Sequence, residues 1–158
     1  MKVKLKNGRP AAEGMALTLE HALGCRLSDS FKGFISSRDG AKPETNIFKI
    51  NEQNDSGVNG FIPVAEIQRE RAFIEDIPAK AYPVAWAEGG NYVFIDEGKN
   101  GAVYFWDHEA PQSVTELAAN FGAFLDPLEP FDINTIELKP GQVKKVWVDP
   151  EFLNRLKK

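Results

Sequence analysis

The chain has 158 residues, 42% hydrophobic, 27% charged and 11% aromatic, the make-up of one folded domain and not of a disordered or collagen-like chain. A single cysteine, Cys25, excludes an intramolecular disulfide framework and a cysteine-rich zinc module, and no apolar run approaches the roughly 20 residues of a membrane span. The net charge of −4 is unevenly spread: residues 1–10 carry four basic residues and no acid, residues 139–158 six basic against two acidic, and the body between them 9 basic against 21 acidic. Within that body, 75–137 holds only Lys80 and Lys99 against 12 acids. Phosphate binding needs clustered Lys and Arg, so this distribution argues against nucleic acid as a direct partner. It suits either a well-solvated surface or a basic protein partner.

In chain order, residues 1–10 read as a weakly ordered basic arm, with one domain over 11–158. A helix is expected from Ala11 to Leu23, its stripe formed by Leu19, Ala22 and Leu23 and its stop by Gly24. Ser28-Asp29 opens a second helix, with Phe31, Phe34 and Ile35 at i, i+3, i+4. Asp39-Gly40 breaks the chain. Ile47, Phe48 and Ile50 suggest a short strand, Gln53–Asn59 a mobile loop, Phe61–Val64 another short strand, and Ala65–Glu75 a helix. The clearest segment follows: Ala81–Ala87, Asn91–Asp96 and Ala102–Asp107 are β-rich runs, joined by Glu88-Gly89-Gly90 and Gly98-Lys99-Asn100-Gly101. Their near-continuous apolarity places them at the centre of a sheet. Ser113-Val114-Thr115-Glu116 has the form of a capping box, opening a helix with Val114, Leu117, Ala118, Phe121, Phe124, Leu125 and Leu128 on one face. Ile133–Val148 suggests a hairpin and Pro150–Leu156 a short helix.

Several catalytic chemistries fail on spacing. His108-Glu109 would need a second histidine at 112 to form a zinc-protease pair, and that position is Gln112. His21 is the only other histidine. Gly89-Gly90 precedes a strand and lacks the following Lys-Ser/Thr of a phosphate loop, so a hairpin turn is expected. No nucleophile-elbow motif is present, and Cys25 reads as a partly buried, inert thiol. Trp106-Asp107-His108-Glu109 admits two readings: an anchoring tryptophan with polar residues tying off a strand, or a recognition surface at the sheet's end. No signal peptide is expected, because no apolar stretch follows Arg9. The compartment expected is therefore the cytoplasm, with Asn54-Asp55-Ser56 an accidental sequon.

Three stretches resemble a known family. Leu27-Ser28-Asp29-Ser30-Phe31-Lys32-Gly33-Phe34 followed by Gly40 is similar to its first motif, with Ser28 where the family usually has Pro. Tyr82-Pro83-Val84-Ala85-Trp86-Ala87-Glu88-Gly89-Gly90-Asn91-Tyr92-Val93-Phe94-Ile95-Asp96 is similar to its central hairpin. Gly101-Ala102-Val103-Tyr104-Phe105-Trp106-Asp107-His108-Glu109 is similar to its Trp-Asp-His-Glu strand. A segment with Phe121, Phe124 and Leu125 follows, as the family's pattern has it. The family is the SUKH superfamily, which contains bacterial immunity proteins and fungal regulators of cell-wall synthesis and killer-toxin resistance. The resemblance is strongest over 24–128.

The resemblance implies a single α+β domain with a central, mostly antiparallel sheet packed by several helices. It implies a cytoplasmic immunity protein that binds a cognate protein toxin stoichiometrically, with no turnover, cofactor, metal or membrane. The acidic body adds the expectation that this toxin is basic, as a nuclease would be. The alternatives are a regulatory scaffold of the same fold, or a small-molecule binder or enzyme using Asp107, His108 and Glu109. The residues expected to face a partner are Glu88, Asn91, Asp96, Glu97, Asp107, His108 and Glu109, at hairpin tips and strand ends of a rigid sheet.

Overall fold

Lysines alternate with apolar residues at the start of the chain, and that alternation decides its conformation. In the computed structural model, which describes residues 3–130, Val3 is buried and Leu5 packs against the core while Lys4 and Lys6 face solvent. Strand β1 (Leu5–Lys6) pairs antiparallel with β2 (Lys42–Pro43), and Arg9 bridges Asp39. The expected weakly ordered arm is therefore held over residues 3–9, because a period of two puts one apolar side inward. Helix α1 (Met15–Leu23) begins later than Ala11, after Gly14 at φ 80°, and buries Leu19 and Leu23 but not Ala22. It stops at Gly24, in the left-handed region at φ 68°, whose N–H donates to the Glu20 carbonyl. Helix α2 (Asp29–Arg38) follows Ser28 and buries Phe31, Phe34 and Ile35, as the spacing requires.

Strands β3 (Thr45–Lys49) and β4 (Asp55–Phe61) form a hairpin in register Ile47 to Gly57 and Lys49 to Asp55. Of the loop expected over 53–59 only Gln53 and Asn54 lie in a turn, at 50–54, where Asn51 Oδ1 accepts from their N–H groups; from Asp55 the chain is strand, flanked by β3 and a later strand. Phe61 ends β4 and Val64 opens helix α3 (Val64–Arg71), so no separate strand lies over 61–64. Pro63 at the head of α3 has no side-chain acceptor, and Asp39 Oδ1 supplies one to the Val64 N–H at 2.9 Å. Past Arg71 the backbone continues in turns to Ile74 rather than as helix to Glu75.

The three β-rich runs form β5 (Ala81–Ala87), β6 (Asn91–Asp96) and β7 (Ala102–Trp106), an antiparallel meander. Its first turn needs Gly89 and Gly90 at φ 73° and 82°. The capping-box expectation is overturned: Val114–Ala118 is strand β8, paired with β7 from Trp106–Val114 to Val103–Ala118. Only Phe121–Leu125 is helical, as α4, and its cap is Asn120, whose Oδ1 accepts from the Ala123 N–H at 2.8 Å. A helix from 113 would have left the outer edge of β7 without partners, and a buried ladder outweighs a local helical period. The short β9 (Glu129–Pro130) pairs with β3. The hairpin expected at 133–148 and the helix expected at 150–156 lie outside the described residues.

Among the described residues a seven-stranded sheet runs β8-β7-β6-β5-β4-β3-β9, every pairing antiparallel, in an α+β domain. Phe48 on β3 and Phe105 on β7 are four strands apart in that order, yet their rings lie 5.9 Å apart. Flat strands would separate them by about 19 Å, so the sheet is strongly curled. Phe121 fills the interior, with Phe31, Phe34 and Phe61 at 5.1–6.0 Å in edge-on arrangements. A second cluster of Phe94, Tyr104, Trp106 and Ile74 occupies the opposite face of the meander.

Candidate functional site

The β5–β6 turn and the exit of β7 meet at one end of the sheet. There Asn91 Oδ1 accepts from the backbone N–H of His108 at 3.1 Å, and His108 Nδ1 lies 2.8 Å from the same oxygen. Because Oδ1 is an acceptor in both contacts, Nδ1 carries the ring proton here. One residue earlier, Asp107 Oδ1 accepts from the Glu109 N–H at 2.9 Å, which makes the strand exit turn sharply. Gly90 faces the imidazole: a Cβ there would make ordinary contact with His108 at 3.7 Å. Two turns far apart in sequence are thus tied side by side, with Glu88, His108 and Glu109 exposed.

A basin of about 570 Å³ opens between these turns and the β3–β4 turn. Three carboxylates line it, Asp55, Glu88 and Asp107, among asparagines, serines and threonine, with no lysine or arginine among the described residues of its wall. The aromatic floor is Phe105. Gly57 lets Glu88 lie over β4: a Cβ at 57 would stand 2.7 Å from Glu88 Oε1. The arrangement concentrates negative potential at one end of a rigid sheet. Among the described residues no group of three or more His, Cys, Asp or Glu is placed to hold a metal ion. Burial pushes the Cys25 thiol up, away from the nucleophilic thiolate.

Five of the seven expected partner residues, Glu88, Asn91, Asp107, His108 and Glu109, come together at this end. Asp96 and Glu97 do not: they sit at the opposite end of β6, about 17 Å away at the rise of a strand. Asp96 is buried and accepts from the Gly98 N–H at 2.9 Å. Glu97 Oε1 accepts from the Ser28 N–H at 2.8 Å and from the Tyr82 hydroxyl at 2.7 Å, fastening the start of α2 to the sheet. Burial, then the charge of Glu97, holds the Tyr82 phenol far above its ordinary range, so it stays a donor.

Sequence reasoning missed a second depression of about 420 Å³ beside the same turn, which Lys42, Asn59, Trp86, Asn91 and Tyr92 line. Trp86 pairs across strands with Tyr92, and both donate to Glu70 Oε2, the indole N–H at 3.0 Å and the hydroxyl at 2.6 Å. Burial, and then Glu70, raise the Tyr92 phenol well above its usual value. The available signal was Glu70 itself, a charge three residues on from the buried Val64 and Ile67 spacing of α3. A carboxylate at a core-facing position requires donors opposite.

No helix among the described residues is long and apolar enough to cross a membrane. No curated protein matches the chain. The SMI1 / KNR4 family (SUKH-1) matches it over residues 10–126, which takes in α1 as well as the motif-bearing strands. Proteins of this family are immunity-like or regulatory and generally non-catalytic, and they associate with protein partners. With about three quarters of its length covered by that match, the chain belongs to the SMI1 / KNR4 family (SUKH-1).

Proposed function

We propose that this chain is an immunity protein that neutralises a cognate toxin domain in the cytoplasm by stoichiometric occlusion, and that the toxin presents a basic surface. The observation that carries the reading is the carboxylate-lined basin at the end of the sheet, with no compensating lysine or arginine among the described residues of its wall. Complementary charge favours a basic partner and speeds encounter. Glu88, Asn91, Asp107, His108 and Glu109 form the contact surface. Asp96 and Glu97 support the fold from the far end and stand outside it.

Co-expression tests the reading: the chain is produced with the C-terminal domain of any large secreted protein encoded in a neighbouring reading frame, and growth is scored. Wild-type chain restores growth, and Glu88→Lys combined with Glu109→Lys abolishes the rescue with the melting temperature nearly unchanged. His108→Ala still protects, because no turnover is needed. Loss of rescue in His108→Ala with the complex still forming would point to catalysis instead. Failure of the wild-type chain to protect or to bind that domain would overturn the proposal.

A further inference from the structure

The loop over 107–113 is a ridge with a different surface on each side. Ala110, Ser113 and Thr115 face the acidic basin. Pro111, Gln112 and Val114 face a narrow slot of about 160 Å³. Phe94 and Trp106 line the slot from the sheet, and Ile74 to Pro78 line it from the chain that follows α3. The slot ends a cross-strand row that runs Trp86, Tyr92, Trp106, Val114 over four strands.

The two tryptophans of this row differ in one respect. Trp86 donates its indole N–H to Glu70. Trp106 is 4% exposed, and its indole N–H has no partner among the described residues. Buried donors are nearly always paired, so an orphan one beside an open slot calls for an acceptor from outside. Val114 is 50% exposed at the mouth, and Phe73, 61% exposed, precedes the lining segment. Next to the slot, β8 is the terminal strand of the sheet and nothing pairs with its outer edge among the described residues. It contains no proline, glycine or lysine, the usual guards of an open edge. Its one charge is Glu116, and the charges among the described residues of the slot's wall are Glu75 and Asp76, all acidic.

We infer that β8 and the slot form a second docking surface for a protein partner: an extended, basic segment adds along β8 and inserts one branched aliphatic side chain against Trp106. An oxygen of that segment accepts from the Trp106 indole N–H. Main-chain pairing supplies the register, the slot selects the side chain, and the acids select flanking lysines or arginines. The inference rests on the reading of the chain as a binder of a basic protein and extends that contact across the ridge.

The test uses the full ¹⁵N-labelled chain and the acetylated, amidated peptide Lys-Thr-Leu-Thr-Lys. The three indole N–H signals are assigned by Trp→Phe variants. At millimolar peptide, the Trp106 indole signal and the amides of 114–118 shift together. Replacing the peptide's leucine with alanine weakens binding about tenfold, and replacing its lysines with glutamate abolishes the shift. Val114→Glu, at an exposed position, abolishes it without lowering the melting temperature. A stationary Trp106 signal, or equal shifts with the alanine peptide, overturns the inference. So does finding residues 143–148 of the same chain already against the indole in the free protein. Cells protected equally by wild type, Val114→Glu and Trp106→Phe would also sink it, whereas failure of the wild-type chain to protect sinks the toxin reading alone.

Discussion

Glu97 shows how one carboxylate can set the position of a helix. It accepts from the Ser28 N–H, one of the donors a helix start leaves without an intrahelical partner, and from the buried Tyr82 hydroxyl. Glu97→Ala removes both acceptors and is expected to cost about 2–3 kcal/mol in urea unfolding, since each bond is charge-assisted. Binding to the partner should be unchanged in the folded fraction, because this end of the sheet is remote from the basin. Asp39 gives a complementary case. Burial raises its carboxyl above the ordinary value, and the Val64 N–H only partly offsets this. A raised acid binds its proton more tightly when folded, so its contribution is present below the ordinary carboxylate range and is lost as pH rises through the folded value. Asp39→Asn keeps an acceptor for Val64 and has no charge to bury. The stability advantage of Asp39→Asn over wild type should therefore grow between about pH 4 and pH 7. A difference that shrinks over that interval would refute the assignment.

At the level of elements, the sequence 113–120 contains two helix starts and only one operates. Ser113 and Glu116 match a capping box, but their segment pairs with β7; Asn120 caps the helix that forms. Ser113→Ala should therefore change stability by less than about 0.5 kcal/mol, and Asn120→Ala should lower it by about 1 kcal/mol, both read by thermal unfolding. The reverse order would restore the long helix. The meander was legible because each run is β-rich and each joint has residues that accept positive φ cheaply. Strand β8 was not, because Val114, Leu117, Ala118 and Phe121 also fit a helical period, and only the need of β7 for a partner decides between them. Strand β4 was hidden for another reason. Its Asp, Ser, Asn and two Gly residues have poor strand propensity, yet Gly57 makes room for Glu88 and Gly60 lies beneath Trp86. The clustering was half legible: five of the seven residues named at tips and strand ends do lie together, but the sequence alone does not show that Asp96 and Glu97, at the other end of β6, are tied into the fold.

For the whole molecule, the acid excess of the body acts through its placement. Electrostatic steering by the basin predicts that the association rate with a basic partner falls about tenfold between ~50 mM and ~500 mM salt, with a much smaller change in the dissociation rate. A rate indifferent to salt in stopped flow would remove charge as the source of recognition. The curl of the sheet has a kinetic consequence. The meander forms from contacts between near neighbours in sequence, whereas β9 must find β3 with Ile47 and Glu129 paired 82 positions apart. Closing so long a loop carries an entropy cost that the local hairpins escape. In pulsed hydrogen exchange during refolding, amides of 81–106 should gain protection first and those of β3 facing β9 last. The chain would then assemble its acidic tip before its last strand pairs, and a protein still emerging from the ribosome would already display that tip.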